Sequence, residues 1–411
     1  MKVLISAAET SSDAHAAELL RALRRESSEE IDAYGIGGPK LAAEGLRQIF
    51  DARELLSMGF VEILGRLPKI LSALRKIEGE ARAERPDVAV LLDYPDFHFR
   101  LAKKLSKMGI PLVYYIPPKI WAWRKGRVRL LRRFFKRILC ILPFEEEFYR
   151  RAEVSARYVG NPLQDELPLQ ATRKEAREKL GLAPSDRVLA VLAGSRPSEL
   201  QRHLSLFLDS SGRLAQRLER RGLLLPGQKL HVLLPFAGTS SLEQMRDRVE
   251  QWRGSSALGG NLELRLSQGD SAWAMRAADA GIIKSGTSTL EAALMGLPNV
   301  IAYRPSSLSC FIVRHLIRYR RPVGLSNLIA ESRTGRVDDP KLRARLITEL
   351  ICSEVTVEAL SSELEELFWD SSKSRQVRSA LDLIRAAVLQ RNESPSLLAA
   401  REILEVVGNC S

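Results

Sequence analysis

Three short stretches hold the residue types from which group-transfer chemistry can be built. Leu92-Asp93-Tyr94-Pro95-Asp96 sets a carboxylate directly after an aliphatic run. An acid at the carboxyl end of a buried strand sits where open α/β sheets bind ligands, and poor hydration there makes it a better proton acceptor. Asp93 can therefore act as a general base on a hydroxyl, although Asp before Tyr-Pro equally suits a plain turn. Asp96 reads as the cap of the helix that follows. Ala193-Gly194-Ser195-Arg196 opens a second aliphatic run into a turn with a guanidinium, a fit for a phosphate or diphosphate. Ile283-Lys284-Ser285-Gly286-Thr287-Ser288-Thr289-Leu290-Glu291 has the same form, with a helix expected near Ser288 whose first N–H groups would face an anion. Glu291, one turn in, could accept from sugar hydroxyls or close a capping box on Ser288. Two such loops point to a nucleotide diphosphate. Neither is a Walker A loop and no Gly-x-Gly-x-x-Gly follows a strand, which sets aside ATPase and dinucleotide readings.

No Asp-x-Asp occurs, and the five histidines (His15, His98, His203, His231, His315) are scattered. No metal site and no cofactor is expected. Cys140, Cys310, Cys352 and Cys410 are far apart in sequence and read as separate reduced thiols.

The elements that must position these groups alternate in the manner of parallel sheets. Aliphatic runs at 3–5, 33–38, 87–93, 111–116 and 137–142 are separated by amphipathic stretches, and continuous apolar strands between helices imply a sheet covered on both faces. Residues 161–177 are polar and contain proline, as a linker does. The pattern then restarts with runs at 187–193, 230–234, 262–266, 280–283 and 299–303, and residues 354–407 read as largely helical. The expected plan is two doubly wound α/β domains, 1–165 and 166–375, with C-terminal helices at 376–411 returning to the first, and a site in the cleft between the domains.

The 411 residues are 45% hydrophobic and 27% charged, which excludes disordered and disulfide-framework classes. The net charge of +13 is local. Residues 119–137 hold nine Lys/Arg and residues 304–321 five Arg, with no acid in either, leaving the rest of the chain at −1. Trp121-Ala122-Trp123-Arg124 opens the denser patch, where aromatic and basic residues could meet nucleic acid, a lipid headgroup layer, or simply solvent over a packed helix. Residues 58–74 carry an apolar face, including Met58, Phe60, Val61, Ile63 and Leu64, interrupted by Pro68. Periodicity does not decide whether that face meets the core, an acyl chain, a membrane surface or a second copy in a homodimer. The N-terminus reaches Glu9 and Asp13 too early for a signal-peptide core, and no run approaches the ~18 apolar residues of a membrane span.

In order along the chain, Glu9-Thr10-Ser11-Ser12-Asp13, Gly37-Gly38-Pro39, Met58-Gly59-Phe60-Val61-Glu62-Ile63-Leu64, Asp93-Tyr94-Pro95-Asp96-Phe97 and Trp121-Ala122-Trp123-Arg124 resemble the lipid-A-disaccharide synthase family, glycosyltransferase family 19. Leu142-Pro143-Phe144-Glu145, Gly194-Ser195-Arg196, the 285–291 loop and Ser326-Asn327-Leu328-Ile329 continue the resemblance to about residue 407. It implies a GT-B fold, two Rossmann-like domains facing a cleft. It implies an inverting enzyme that joins UDP-2,3-diacylglucosamine to 2,3-diacylglucosamine 1-phosphate (lipid X), giving the β-1,6 disaccharide 1-phosphate and UDP. By the same resemblance Asp93 is the base and Arg196 meets the UDP leaving group. Gly194, Ser195, Ser285, Gly286, Thr287, Ser288, Glu291 and Asn327 bind UDP. Glu9, Ser11, Asp13, Met58, Phe60, Val61, Ile63, Leu64, Trp123, Arg124 and Asn161 serve the acceptor and its lipid. With lipid substrates, the basic patches are better matched to an anionic inner-membrane surface than to nucleic acid, and the expected place is cytoplasmic, against the inner face of that membrane. The chain departs from the family pattern at Ala8, Ser12, Pro117, Asn161, Ala193 and after Ile329. Those departures keep open a weakened or inactive UDP- and lipid-binding homologue, beside a GT-B enzyme acting on a soluble UDP-sugar such as a UDP-N-acetylglucosamine 2-epimerase.

Overall fold

A computed structural model describes the chain except residues 9, 57–62, 124, 237–239, 259, 306–309, 311–321, 334–345, 370, 390–392 and 409–411. The described residues form two compact units, Met1–Glu166 with Val388–Ser411, and Leu167–Ala387.

The first unit is built on a wholly parallel sheet of β1 (Lys2–Ala7), β2 (Asp32–Gly37), β3 (Arg47–Asp51), β4 (Val88–Leu92), β5 (Leu112–Tyr115), β6 (Arg137–Cys140) and β7 (Ala156–Tyr158), in the order 3-2-1-4-5-6-7. Successive side chains alternate between its faces. Leu4, Ala89, Leu91, Leu112, Tyr114 and Ile138 enter one apolar layer, under the helices Ile63–Glu84 and Pro95–Ser106. Val3, Ile5, Val88, Val90, Leu92, Val113 and Leu139 enter the other, with helix Thr10–Glu26. The helix Pro395–Gly408 lies on that same face and buries Ala399, Ala400, Ile403 and Val406 there. Arg401 reaches Glu26 at 2.6 Å, and Arg137 pairs with Glu402.

The second unit repeats the plan with β8 (Val188–Leu192), β9 (Leu230–Phe236), β10 (Leu262–Gln268), β11 (Ala280–Lys284), β12 (Asn299–Tyr303) and β13 (Glu349–Ile351), in the order 10-9-8-11-12-13, again all parallel. Helix Pro197–Arg220 packs on Val357–Glu365, joined by Arg217 to Glu365 at 2.9 Å.

The expectation of four separate thiols is corrected. Cys310 and Cys352 form a disulfide with Cα atoms 6.0 Å apart, and Cys140 is buried and free. Tyr303 lies opposite Ile351 in the β12–β13 pair, and Cys352 follows Ile351 directly. Cys410 lies outside the described residues, and no described helix is long and apolar enough to cross a membrane.

Candidate functional site

Each sheet reverses its direction of growth once, between β1 and β4 and between β8 and β11. Such switch points open a crevice beyond the strand ends, and both anticipated sites lie at them.

In the first unit β4 is buried throughout, and the chain turns sharply on leaving it. Asp93 and Tyr94 both take left-handed backbone conformations, φ +53 and +42, before Pro95 starts the helix Pro95–Ser106. A left-handed L-residue costs roughly 1–2 kcal/mol, so two in succession need outside support. Ile116, one residue past the neighbouring β5, is also left-handed at φ +60, which is rare for a β-branched residue. The Asp93 carboxylate accepts the Tyr94 N–H at 2.9 Å. Burial raises its pKa, while that hydrogen bond and the charges of Lys119 and His15 pull the other way. A half-buried carboxylate held this way suits proton abstraction. Asp96, expected as the cap, sits in the first helical turn and pairs with Arg127 at 2.5 Å; Tyr94 occupies the cap position, and its side chain makes no capping hydrogen bond to the helix start.

Two of the residues expected on the acceptor side, Asp13 and Asn161, are hydrogen-bonded to the main chain. Asp13 is buried and its carboxylate accepts the N–H groups of Gly38 (2.7 Å), Lys40 (3.0 Å) and Leu41 (3.2 Å). A Cβ on Gly38 would come within 2.6 Å of that carboxylate, which ties Gly37-Gly38-Pro39 to Asp13 as one device. Asn161 is likewise buried, its amide donating to the Ile141 carbonyl at 3.1 Å and accepting from Leu163 N–H at 3.1 Å. Trp121 packs inward and donates to the buried Glu145 at 3.0 Å, which also accepts from Leu142 N–H at 3.1 Å. Burial lifts the Glu145 pKa to about 7 against those donors. Glu9, Met58, Phe60, Val61 and Arg124 fall outside the described residues; Ser11, Ile63, Leu64 and Trp123 lie in helices. Farther along residues 58–74, Leu74 is buried and Leu71 is 42% exposed, so that face is not uniformly covered.

In the second unit the Gly194-Ser195-Arg196 turn follows β8, and helix Pro197–Arg220 starts just after Arg196. Its N–H groups are not vacant, because Glu199 folds back to accept from Ser195 N–H (3.0 Å) and Arg196 N–H (3.4 Å). The same carboxylate meets Lys284 at 2.7 Å, binding the end of β11 to the turn after β8. Burial would raise the Glu199 pKa, but Lys284 and the two N–H donors hold it below the usual value. Gly194 has φ +123, and a Cβ there would lie 2.6 Å from Glu199, so the turn requires glycine. Anion-binding capacity therefore rests on the exposed Arg196 guanidinium and the loop after β11. Ser285 donates its hydroxyl to the Val323 carbonyl at 2.9 Å, and Thr289 donates to Gly286 at 2.9 Å while accepting Leu325 N–H at 3.1 Å. These bonds shape Gly286, Thr287 and Ser288 at the start of helix Ser288–Leu294, with Glu291 half-buried one turn in. Asn327 is fully engaged elsewhere. Its amide donates to Ile347 (2.8 Å) and Glu349 (3.0 Å) and accepts from Ile347 N–H (3.0 Å).

Glu199, Lys284, Glu145 and Glu349 were not singled out as partners from the sequence. The only local signal was Glu199 placed three residues after Arg196, the spacing of a carboxylate that returns to a helix start.

The family model for lipid-A-disaccharide synthetase matches residues 3–400. The chain is 38% identical to the lipid-A-disaccharide synthase of Myxococcus xanthus over 406 residues, covering 99% of this chain and 97% of the relative. It is 36% identical to that of Pseudomonas aeruginosa over 407 residues, covering 99% and 98%. Among solved structures it resembles a UDP-GlcNAc 2-epimerase from Neisseria meningitidis bound to UDP-GlcNAc (TM-score 0.58, 12% identity, 100% of both chains). It also resembles Acinetobacter baumannii MurG (TM-score 0.55, 14% identity, 98% of this chain and 99% of that one). At such identities these structures share the fold alone, which is of the GT-B kind.

Proposed function

The chain belongs to the lipid-A-disaccharide synthetase family of glycosyltransferases, and from that premise we propose the reaction and the residues that carry it. The donor is UDP-2,3-diacylglucosamine and the acceptor lipid X. Asp93 takes the proton from the acceptor 6-hydroxyl as that oxygen attacks the anomeric carbon, inverting it. Arg196 and the first turn after Thr287 stabilise charge growing on the departing UDP, an electrostatic contribution that matters most where water is scarce. Glu291 accepts from the ribose hydroxyls. The observation that carries this reading is the placement of Asp93 on a left-handed turn at the switch point of one sheet, with Arg196 and the 285–288 loop at the switch point of the other.

The membrane-facing part of the proposal rests on charge. Arg129, Arg133 and Lys136 are exposed, Arg132 is exposed but pairs with Glu153 at 2.9 Å, and Arg127 and Arg137 are drawn into ion pairs. Residues 304–321 lie largely outside the described set. Exposed cations on a protein with lipid substrates suit an anionic headgroup layer, each contributing about 1 kcal/mol near the surface.

The test is UDP release from the two acylated substrates. Asp93→Asn should lower turnover by roughly 10²-fold or more with an unchanged unfolding midpoint, and wild-type turnover should survive EDTA. Wild-type rates in Asp93→Asn would remove that residue from the mechanism. Turnover of UDP-N-acetylglucosamine without lipid would instead favour the epimerase-like reading.

A further inference from the structure

We propose that Tyr114 and His98 are positioning residues for Asp93, holding it as proton acceptor by clamping its main-chain carbonyl in the left-handed turn; the proposal rests on reading Asp93 as the base. The Asp93 carbonyl accepts two side-chain donors at once, Tyr114 Oη at 2.7 Å and His98 Nδ1 at 2.5 Å. The donors come from opposite sides, Tyr114 from the adjacent strand β5 and His98 from the first turns of the helix after Asp93.

A carbonyl only accepts, so Nδ1 carries the ring proton and Nε2 is left as an acceptor. Ser6 fills it, its hydroxyl 2.8 Å from Nε2. Ser6 lies on β1, the strand on the other side of β4, and both it and His98 are wholly buried. The chain Ser6–His98–Asp93–Tyr114 thus spans three adjacent strands and joins them beneath the base. Register explains why such a clamp is needed. Leu92 is the last β4 residue paired with β5, opposite Tyr115, and the turn at Asp93 takes the next carbonyl out of the ladder. A buried carbonyl without a ladder partner must find other donors.

The clamp touches the main chain and leaves the carboxylate available. It resembles in design the strand-to-helix elbows that present a nucleophile at the top of a sheet, here presenting a base. Around the carboxylate stand His15 from helix Thr10–Glu26, Lys119 from the segment after β5, and His98 and Tyr114 beneath.

The experiment measures kcat, both KM values and the pH dependence of kcat for the full-length wild type, Tyr114→Phe, His98→Asn, His98→Leu and Asp93→Asn. Tyr114→Phe keeps the ring against Phe135 and Phe99 and loses only the donor. It should lower kcat about tenfold with KM values within about twofold, since small displacements of a reacting group cost rate rather than binding. The acid limb of its profile should move to lower pH as the loosened carboxylate meets more water. His98→Asn can still offer an N–H to the carbonyl and should keep most of kcat, whereas His98→Leu should not. Wild-type kcat and an unmoved acid limb in Tyr114→Phe would overturn the clamp while leaving an inactive Asp93→Asn, and hence the base, intact. Equal losses in the two His98 variants with an unmoved limb would reduce His98 to packing. Full turnover in Asp93→Asn would remove the base itself.

Discussion

His98 and Glu145 are both wholly buried in the first unit, and they titrate in opposite senses. Burial lowers the His98 pKa to about 4. As pH falls the unfolded chain takes up this proton first, so stability is lost between about pH 6.5 and about pH 4, by roughly 3 kcal/mol. Burial raises the Glu145 pKa to about 7. Here the folded chain keeps a proton that the unfolded chain has released, so stability is lost as pH rises from about 4.5 to about 7. The two slopes oppose each other in the wild type, and single variants should expose them. Denaturant midpoints compared at about pH 5 and about pH 7 should fall with pH in His98→Asn and rise in Glu145→Gln; matching slopes in both variants would contradict the opposition. The strand-end positions of Asp93 and Arg196 could be read from sequence because each follows an aliphatic run. Asp13, Asn161 and Asn327 could not be sorted from them. A polar side chain aimed at a ligand and one spent on backbone N–H groups have the same local sequence. His98 and Ser6, or Glu199 and Lys284, are partners across 92 and 85 residues, a separation that no local pattern reports.

Strands and turns show the same division between local and distant causes. The central strands announce themselves as unbroken aliphatic runs because both faces are covered. β3, β7 and β13 were not anticipated: each is an edge strand of three to five residues with polar or half-exposed positions, and only the neighbouring strand defines it. The disulfide was likewise hidden, since it joins residues 42 apart in sequence. The turn after β8 carries a sharper expectation. Gly194→Ala would place a methyl in a left-handed residue against Glu199, so it should destabilise the second unit by about 1–3 kcal/mol. Loss of the Glu199 hold on Lys284 and the turn should also weaken UDP binding measured by calorimetry. Unchanged stability and affinity together would show that the turn adapts without cost.

At the scale of the whole chain, the second sheet repeats the order of the first six strands of the first, and that repetition was legible as a pattern that stops near residue 160 and starts again. The charge was legible as two patches, though which cations reach solvent was not, because Arg127 and Arg137 are claimed by Asp96 and Glu402. Replacing Arg129, Arg133 and Lys136 together with Ser should reduce co-sedimentation with phosphatidylglycerol vesicles, and neither protein should co-sediment with phosphatidylcholine. Raising salt from about 0.15 to about 0.5 M should have the same effect on the wild type; salt-insensitive binding would transfer the association to apolar contacts. The first unit is also discontinuous, since its last helix follows the entire second unit in sequence. A ribosome releases the helix Thr10–Glu26 early and the helix Pro395–Gly408 that covers it hundreds of residues later. Throughout that interval the layer around Val3, Leu20 and Leu23 lacks its final cover, so the first domain to emerge is the last to be completed.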